Sequence, residues 1–285
     1  MLGREMITDP LRWQLVMELS DKALEVVAVP PPDHSEPMIY ERIGLGDDPG
    51  PVSERVKNAV YDNPLLLGDF GRVTVLYDTP RFMCLPDVVA GAGNGIAEMA
   101  FRRVFPPDGA YGKGEVMVQE VRDMRMALAF EIPADTASFL RRTFPCVEIS
   151  HPLVPLCGYF RSKHMAGGYG KMMVNLGSGR LDIVVLGTGA PLLVNSYRFR
   201  EPMDAVYYIM AARKTLKLAE TDEIIIGGDR LLRAQVAPVL RRYVRYVMPA
   251  IFPSVMLRAG RASLVAPFEA VLVPLVGTVR KQALK

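Results

Sequence analysis

The sequence predicts an α/β protein built from two consecutive β-β-β-α-β halves, and three observations carry that prediction. The first is the stretch Lys171–Asp229, where the apolar pattern changes period in a definite order. Met172–Leu176, Leu181–Leu186 and Leu192–Tyr197 are short runs rich in β-branched residues, separated by the hairpin-type turns Gly177-Ser178-Gly179 and Gly187-Thr188-Gly189. A helix then opens with Pro202 at its first position and Asp204 in its first turn, where the helix dipole favours an acid. Ala205, Tyr208, Ile209, Ala212 and Leu216 fall on one stripe, and Ile224-Ile225-Ile226 reads as a buried strand halted by Gly227-Gly228. The second observation is that residues 13–77 follow the same order. Strands at Trp13–Glu18, Ala23–Val29 and Pro37–Ile43 precede a helix at Pro51–Tyr61 and a strand at Arg72–Tyr77. The two copies share a pattern and almost no identity. The third is bulk: 285 residues, 50% of them apolar, supply a sizeable core for one large or two medium domains.

Between the copies the pattern is less regular. Asp78–Pro86 reads as a loop or short strand, and Ala92–Phe105 contains a helix behind the glycine-rich loop Gly91–Gly95. That loop lacks the preceding strand and following Lys-Ser/Thr pair of a phosphate cradle, so it reads as a turn and helix cap. Pro106–Gly114 is expected to be exposed. Glu115–Val121 and Arg125–Glu131 form a hairpin, followed by a helix at Ala134–Thr143, a strand at Cys146–Ser150 and a helix from Pro152 to Lys163. The expected division is 1–150, with the hairpin and helices around 80–145 inserted in the first half, and 151–285. Beyond Asp229, Arg230–Arg245 reads as one kinked helix or two short pieces around Pro238, with Leu232, Val236, Val239 and Tyr243 turned inward. Ala266–Val276 reads as a late strand.

Charge is split along the chain. Residues 1–145 hold 15 Lys+Arg against 22 Asp+Glu, and residues 146–285 hold 19 against 9, so the halves carry −7 and +10. This asymmetry fits mutual attraction of the halves, or an anionic partner such as nucleic acid on the C-terminal half. Three cysteines (Cys84, Cys146, Cys157) at no metal spacing suggest a reducing, cytoplasmic setting. The first nine residues lack the apolar core of a signal peptide, and no apolar run is long enough to span a bilayer, so no membrane partner is expected. His34 and His164 fall in loops, which leaves no metal site in the sequence.

Two β-β-β-α-β copies facing each other resemble the layout of the actin-like ATPase superfamily, each half ribonuclease H-like. The resemblance implies a nucleotide between the halves, a first hairpin in each half whose backbone N–H groups clasp phosphates, and an acid at the end of its first strand. In the second half that hairpin is Asn175-Leu176-Gly177-Ser178-Gly179, with Asn where the superfamily has Asp. Gly227-Gly228 stands where glycines approach adenosine. In the first half the hairpin is Glu18-Leu19-Ser20-Asp21-Lys22, without glycine. The residues implied to face a cofactor are therefore Asn175, Gly177, Ser178, Gly227, Gly228, Glu18 and Ser20. That cofactor would be ATP with magnesium. Hydrolysis is not expected, because Asn175 carries no charge and Ser20 has a Cβ where a phosphate would approach.

More narrowly, the chain resembles a bacterial family of unknown function within that superfamily, typical of Bacteroidetes. Phe144–Leu156, Leu193–Leu218 and Ile224–Asp229 carry the resemblance. Within them, His151 reads as a helix cap or a hydrogen-bonded residue between halves. Asn195-Ser196 reads as a strand end, and Asp204 either as a helix-start acid beside core aromatics Tyr207 and Tyr208 or, with them, as a surface for a partner. Two function classes stay open. One is a non-catalytic scaffold that binds a protein or nucleic-acid partner. The other is a nucleotide-dependent switch or ATPase using noncanonical residues in the cleft.

Overall fold

The computed structural model describes residues 2–31, 36–46, 50–92, 95–107, 114–121, 124–164, 171–177, 179–187, 190–257 and 260–276. In the first half, β1 (Gln14–Leu19), β2 (Ala23–Val29) and β3 (Ile39–Gly44) form an antiparallel meander. Helix α1 (Val52–Tyr61) follows, and β4 (Arg72–Tyr77) returns parallel to β1. An insertion then comprises β5 (Phe82–Pro86), α2 (Asp87–Ala90), α3 (Ile96–Val104), β6 (Gly114–Val121), β7 (Met126–Pro133) and α4 (Ala134–Thr143). Its strands make a separate antiparallel sheet in the order β5-β7-β6. β8 (Glu148–Ser150) pairs parallel with β4 and completes the first sheet, β3-β2-β1-β4-β8.

Helix α5 (Leu153–His164) leads to the second half. There β9 (Lys171–Leu176), β10 (Arg180–Leu186) and β11 (Pro191–Arg198) form the meander, α6 (Pro202–Thr215) follows, and β12 (Glu223–Gly228) lies parallel to β9. Helix α7 (Arg230–Leu240) and β13 (Val247–Pro249) complete the second sheet, β11-β10-β9-β12-β13. Strand order and direction are the same in both sheets. Short helix α8 (Ser254–Leu257) and helix α9 (Phe268–Val276) close the described chain.

The two larger cores differ in extent. Leu181, Ile183 and Val185 of β10 pack with Ala205 and Ile209 of α6 and Val236 of α7 in a core confined to the second half. The largest core gathers Leu15, Met17 and Leu19 of β1 with Phe130 of the insertion and Leu156 and Phe160 of α5. It runs on into the second half through Met173, Val184 and Ile225. Burying such strands on both faces is what gives them their continuous apolar runs.

Several expectations need correction. Ala266–Val276 holds a helix: Val16 and Val27 of the first sheet meet Ala270, Val271 and Val273 of α9, while Phe268 and Leu272 join the shared core. A short run that is apolar all round fits either a buried strand or a buried helix. The fifth strand of the second sheet is instead the three-residue β13, too short to show any period. α7 runs unbroken through Pro238, which sits in its last turn, and ends at Leu240. Because the helical phase stops there, Tyr243 is 68% exposed rather than inward. Ser178, Thr188-Gly189, His34, 108–113, 165–170 and 277–285 lie outside the described residues.

Candidate functional site between the two sheets

Side-chain alternation decides what meets between the halves. On β9 the residues Met172, Val174 and Leu176 enter the second-half core, so Asn175 joins Met173 on the opposite face. On β10, Leu181, Ile183 and Val185 do the same, which turns Arg180 and Asp182 to that opposite face with Val184. Strand register then lines Asn175, Asp182 and Ser196 across β9, β10 and β11. On β1, Val16 packs on α9 and Glu18 follows it two residues later.

Arg180 occupies the centre. Its Nη1 lies 2.9 Å from Glu18 Oε1 and 3.2 Å from Asp78 Oδ2, its Nε lies 3.1 Å from Asp182 Oδ1, and its Nη2 donates to Glu269. One buried guanidinium thus joins the end of β1, the end of β4, its own strand and α9. Asn175 Nδ2 donates to Asp182 at 3.2 Å and to Glu269 at 3.0 Å, and Ser196 Oγ donates to Asp182. Arg198, 49% exposed, lies 2.8 Å from Asp78. Four carboxylates therefore surround one enclosed cation, and one of them, Asp78, also meets a partly solvated one. Glu18 Oε2 and Asn175 Oδ1 are buried without a hydrogen-bond partner among the described residues.

The electrostatics follow from this excess of acid. Burial pushes Glu18 well above the ordinary carboxylate range, and Glu269 and Asp78 nearby add to it, against the pull of Arg180. Burial raises Glu269 as well, with Arg180 opposing and Asp182 reinforcing. Asp78 goes the other way: burial alone would raise it, but Arg180 and Arg198 beside it hold it below its usual value. Arg180 stays charged, because the surrounding carboxylates outweigh its desolvation. The cluster therefore binds protons on Glu18 and Glu269 more tightly than free carboxylates do.

His151 sits beside this cluster, buried. Its Nδ1 accepts from Leu153 N at 3.2 Å and so caps α5, and its Nε2 faces Thr79 O at 3.3 Å. That pattern requires the neutral Nε2–H tautomer. Its ring packs against Phe82 and Phe130, and burial lowers its pKa to about 4. It caps α5, one of the two roles the sequence suggested, and links that helix to the loop after β4 rather than bridging the halves. Ser196 lies within β11 rather than at its end, and its hydroxyl faces Asp182. Asp204 is the helix-start acid expected, its Oδ2 accepting from Arg200 N and Glu201 N.

The other residues implied to face a cofactor take local roles. Ser20 Oγ accepts from Lys22 N at 3.3 Å and Ala23 N at 3.1 Å, closing the β1–β2 turn. Gly177 N donates to Arg180 O across the β9–β10 turn. Gly227 faces the ring of Phe268, where a Cβ would sit 3.3 Å away. Gly228 adopts φ +88°, and a Cβ there would lie 2.2 Å from Leu176 O, so glycine is demanded by the approach of β12 to β9. Reading the sequence for glycines and hairpins missed Arg180, Asp78, Asp182 and Glu269. The signal was present: RLDIVVL and FEAVLVPLV each carry charges inside an otherwise apolar buried run.

Chemically, the cluster holds charge and protons between the halves. Among the described residues no group of three His, Cys, Asp or Glu has an arrangement able to hold a metal ion. Burial raises the Cys84 thiol to about 12 and lifts Cys157 too, which disfavours thiolate chemistry at either. No helix among the described residues is long and apolar enough to cross a membrane.

Residues 9–247 match the profile of a family described as "Protein of unknown function (DUF3822)". A structure from Bacteroides thetaiotaomicron, described as a protein with actin-like ATPase fold and unknown function, superposes with a TM-score of 0.72 at 20% identity. The match covers 92% of this chain and 96% of that one. The PilM–PilN type IV pilus biogenesis complex contains a chain that superposes at 0.51 with 11% identity, over 92% of this chain and 97% of that one. No curated protein matches the chain. The actin-like ATPase fold is therefore shown.

Proposed function

Because the chain belongs to the DUF3822 family, whose function the family description leaves open, we propose from its cleft that it is a non-catalytic actin-like protein, working as a cytoplasmic scaffold for a protein partner. One observation carries this reading: Arg180, from the second-half hairpin itself, is bound by Glu18, Asp78 and Glu269 across the cleft. Glu18 and Asn175 are the residues that the actin-like resemblance points toward metal and phosphate. Here Glu18 holds Arg180, and Asn175 holds Asp182 and Glu269. A metal–nucleotide would have to displace a buried arginine and leave its carboxylates facing phosphate oxygens, an arrangement of like charges. The free cysteines are consistent with a reducing compartment. A complex formed by a protein of similar fold supports a protein as the partner class.

The test is thermal unfolding with ATP or ADP and magnesium, alongside a phosphate-release assay. A nucleotide present at a hundred times its Kd would add about 2.7 kcal/mol of stability, and no such shift is expected. Turnover by the wild type that Glu18→Gln abolishes would overturn the scaffold reading in favour of a nucleotide-dependent switch or ATPase.

A further inference from the structure

Arginines and exposed apolar side chains coincide at the edge of the second sheet. From Arg230 to Pro267 the chain carries seven arginines, no lysine and no acidic residue. Within this stretch Arg241, Arg242 and Arg245 are exposed, and among the described residues none of them forms a salt bridge. Arg241 donates to Val247 O and the Arg245 guanidinium lies 5.3 Å from the Tyr246 ring centroid, so both are held by their own neighbours. Interleaved with them, Tyr243 is 68%, Met248 51% and Ile251 58% exposed. On the neighbouring strand β12 the acid is Glu223, which stands opposite Lys171 in strand register.

We propose that this surface, from Arg241 to Ile251, docks an acidic segment of a partner protein that also carries apolar side chains. The charge is of one sign and made wholly of arginine, whose planar fork pairs two N–H groups with one carboxylate. Tyr, Met and Arg are also the residues enriched where proteins meet. Nucleic acid would use the guanidinium groups and the tyrosines but has no use for Met248 and Ile251, which favours a polypeptide over RNA or DNA. β13 itself is three residues long and includes Pro249, so the edge is poorly suited to adding a strand, and the contact is through side chains. The inference rests on the scaffold reading for its partner class, yet none of its residues takes part in the Arg180 cluster.

The experiment uses the full chain and a fluorescent random copolymer of glutamate and tyrosine as the probe. An oligothymidylate and vesicles containing phosphatidylglycerol serve as rival polyanions. Binding to the copolymer is expected to weaken with added salt, and to fall about tenfold in Arg241→Glu/Arg242→Glu, with unfolding unchanged in both cases. Tyr243→Ser/Ile251→Ser should weaken it as well. Tighter binding of the oligonucleotide or the vesicles, equal binding by either double variant, or no binding at low salt would overturn the proposal. Nucleotide turnover would count against the scaffold reading alone, because none of these binding measurements reports on the cleft.

Discussion

Two buried ion clusters in this molecule have opposite composition. Between the halves, one enclosed arginine faces four carboxylates. In the insertion, one enclosed carboxylate, Glu131, faces two arginines: Arg81 Nε lies 2.5 Å from Oε2, and Arg102 Nη1 pairs with Oε1. The surplus is handled differently in each. The spare donors of the insertion's arginines reach main-chain carbonyls, Arg81 to Phe105 and Pro106 and Arg102 to Gly114. Carbonyls are abundant wherever strands and helices end, so excess guanidinium is readily satisfied. Excess carboxylate needs N–H or O–H donors, and between the sheets most N–H groups already belong to ladders. Glu18 Oε2 has no partner among the described residues, and burial raises the affinity of Glu18 for a proton. The insertion is pinned by an arginine-rich cluster, whereas the two halves are joined by an acid-rich one in which burial raises Glu18 and Glu269.

Removing each central residue gives the largest contrast. Arg180→Met should cost about 3–5 kcal/mol at pH 8, because it leaves four carboxylates facing one another without their cation. The deficit should shrink as pH falls, since protonating those carboxylates removes the repulsion. Denaturant unfolding at pH 8 and pH 5 checks both statements, and an equal deficit at the two values would show that the acids are already neutralised by something else. Glu131→Gln should cost somewhat less, about 3 kcal/mol, because the two arginines keep their carbonyl partners and one amide oxygen. A smaller loss than in an exposed pair such as Arg141–Glu115 would mean that this cluster does not pin the insertion.

The finest test separates protons from charges in the cleft. Glu18 and Glu269 have folded pKa values raised above 4.5, so the native state binds more protons than the unfolded chain above that pH. Their contribution to stability therefore falls as pH rises from about 4.5 through the raised values, and is flat beyond. His151 contributes oppositely. With its pKa lowered from 6.5 to about 4, the folded state binds fewer protons across that window, and its contribution is lost as pH falls through it. Glu18→Gln keeps an oxygen for Arg180 but removes one titrating acid. The variant should be more stable than the wild type by roughly 1 kcal/mol at pH 8, with the gap closing toward pH 4.5. A constant gap across the range would remove the proton from Glu18.

Much of the architecture was legible because it rests on local periodicity. The strands and helices from Gln14 to Tyr77 and from Lys171 to Gly228 alternate or repeat in ways that backbone geometry alone requires. The duplicated strand order showed through two sequences with almost no residues in common. His151 as a cap and Asp204 as a helix-start acid were legible for the same reason, since each acts within a few residues of itself. Elements without a period were not. β13 is too short, and the apolar run of α9 shows no face to distinguish helix from strand until it is seen wedged against β1, β2 and α5.

The site between the sheets depended on distance along the chain. Glu18, Asp78 and Glu269 are spread over most of the sequence, and nothing local ties any of them to Arg180; only Asp182, two residues along β10, is a local partner. Alternation alone determined that Asn175, Arg180 and Asp182 share one face of the second sheet. Only the tertiary structure decided that this face meets the end of β1 and the start of α9. A carboxylate's state is set by how much water it loses and which charges it meets, and both quantities arise when the two halves and the returning helix close on one another.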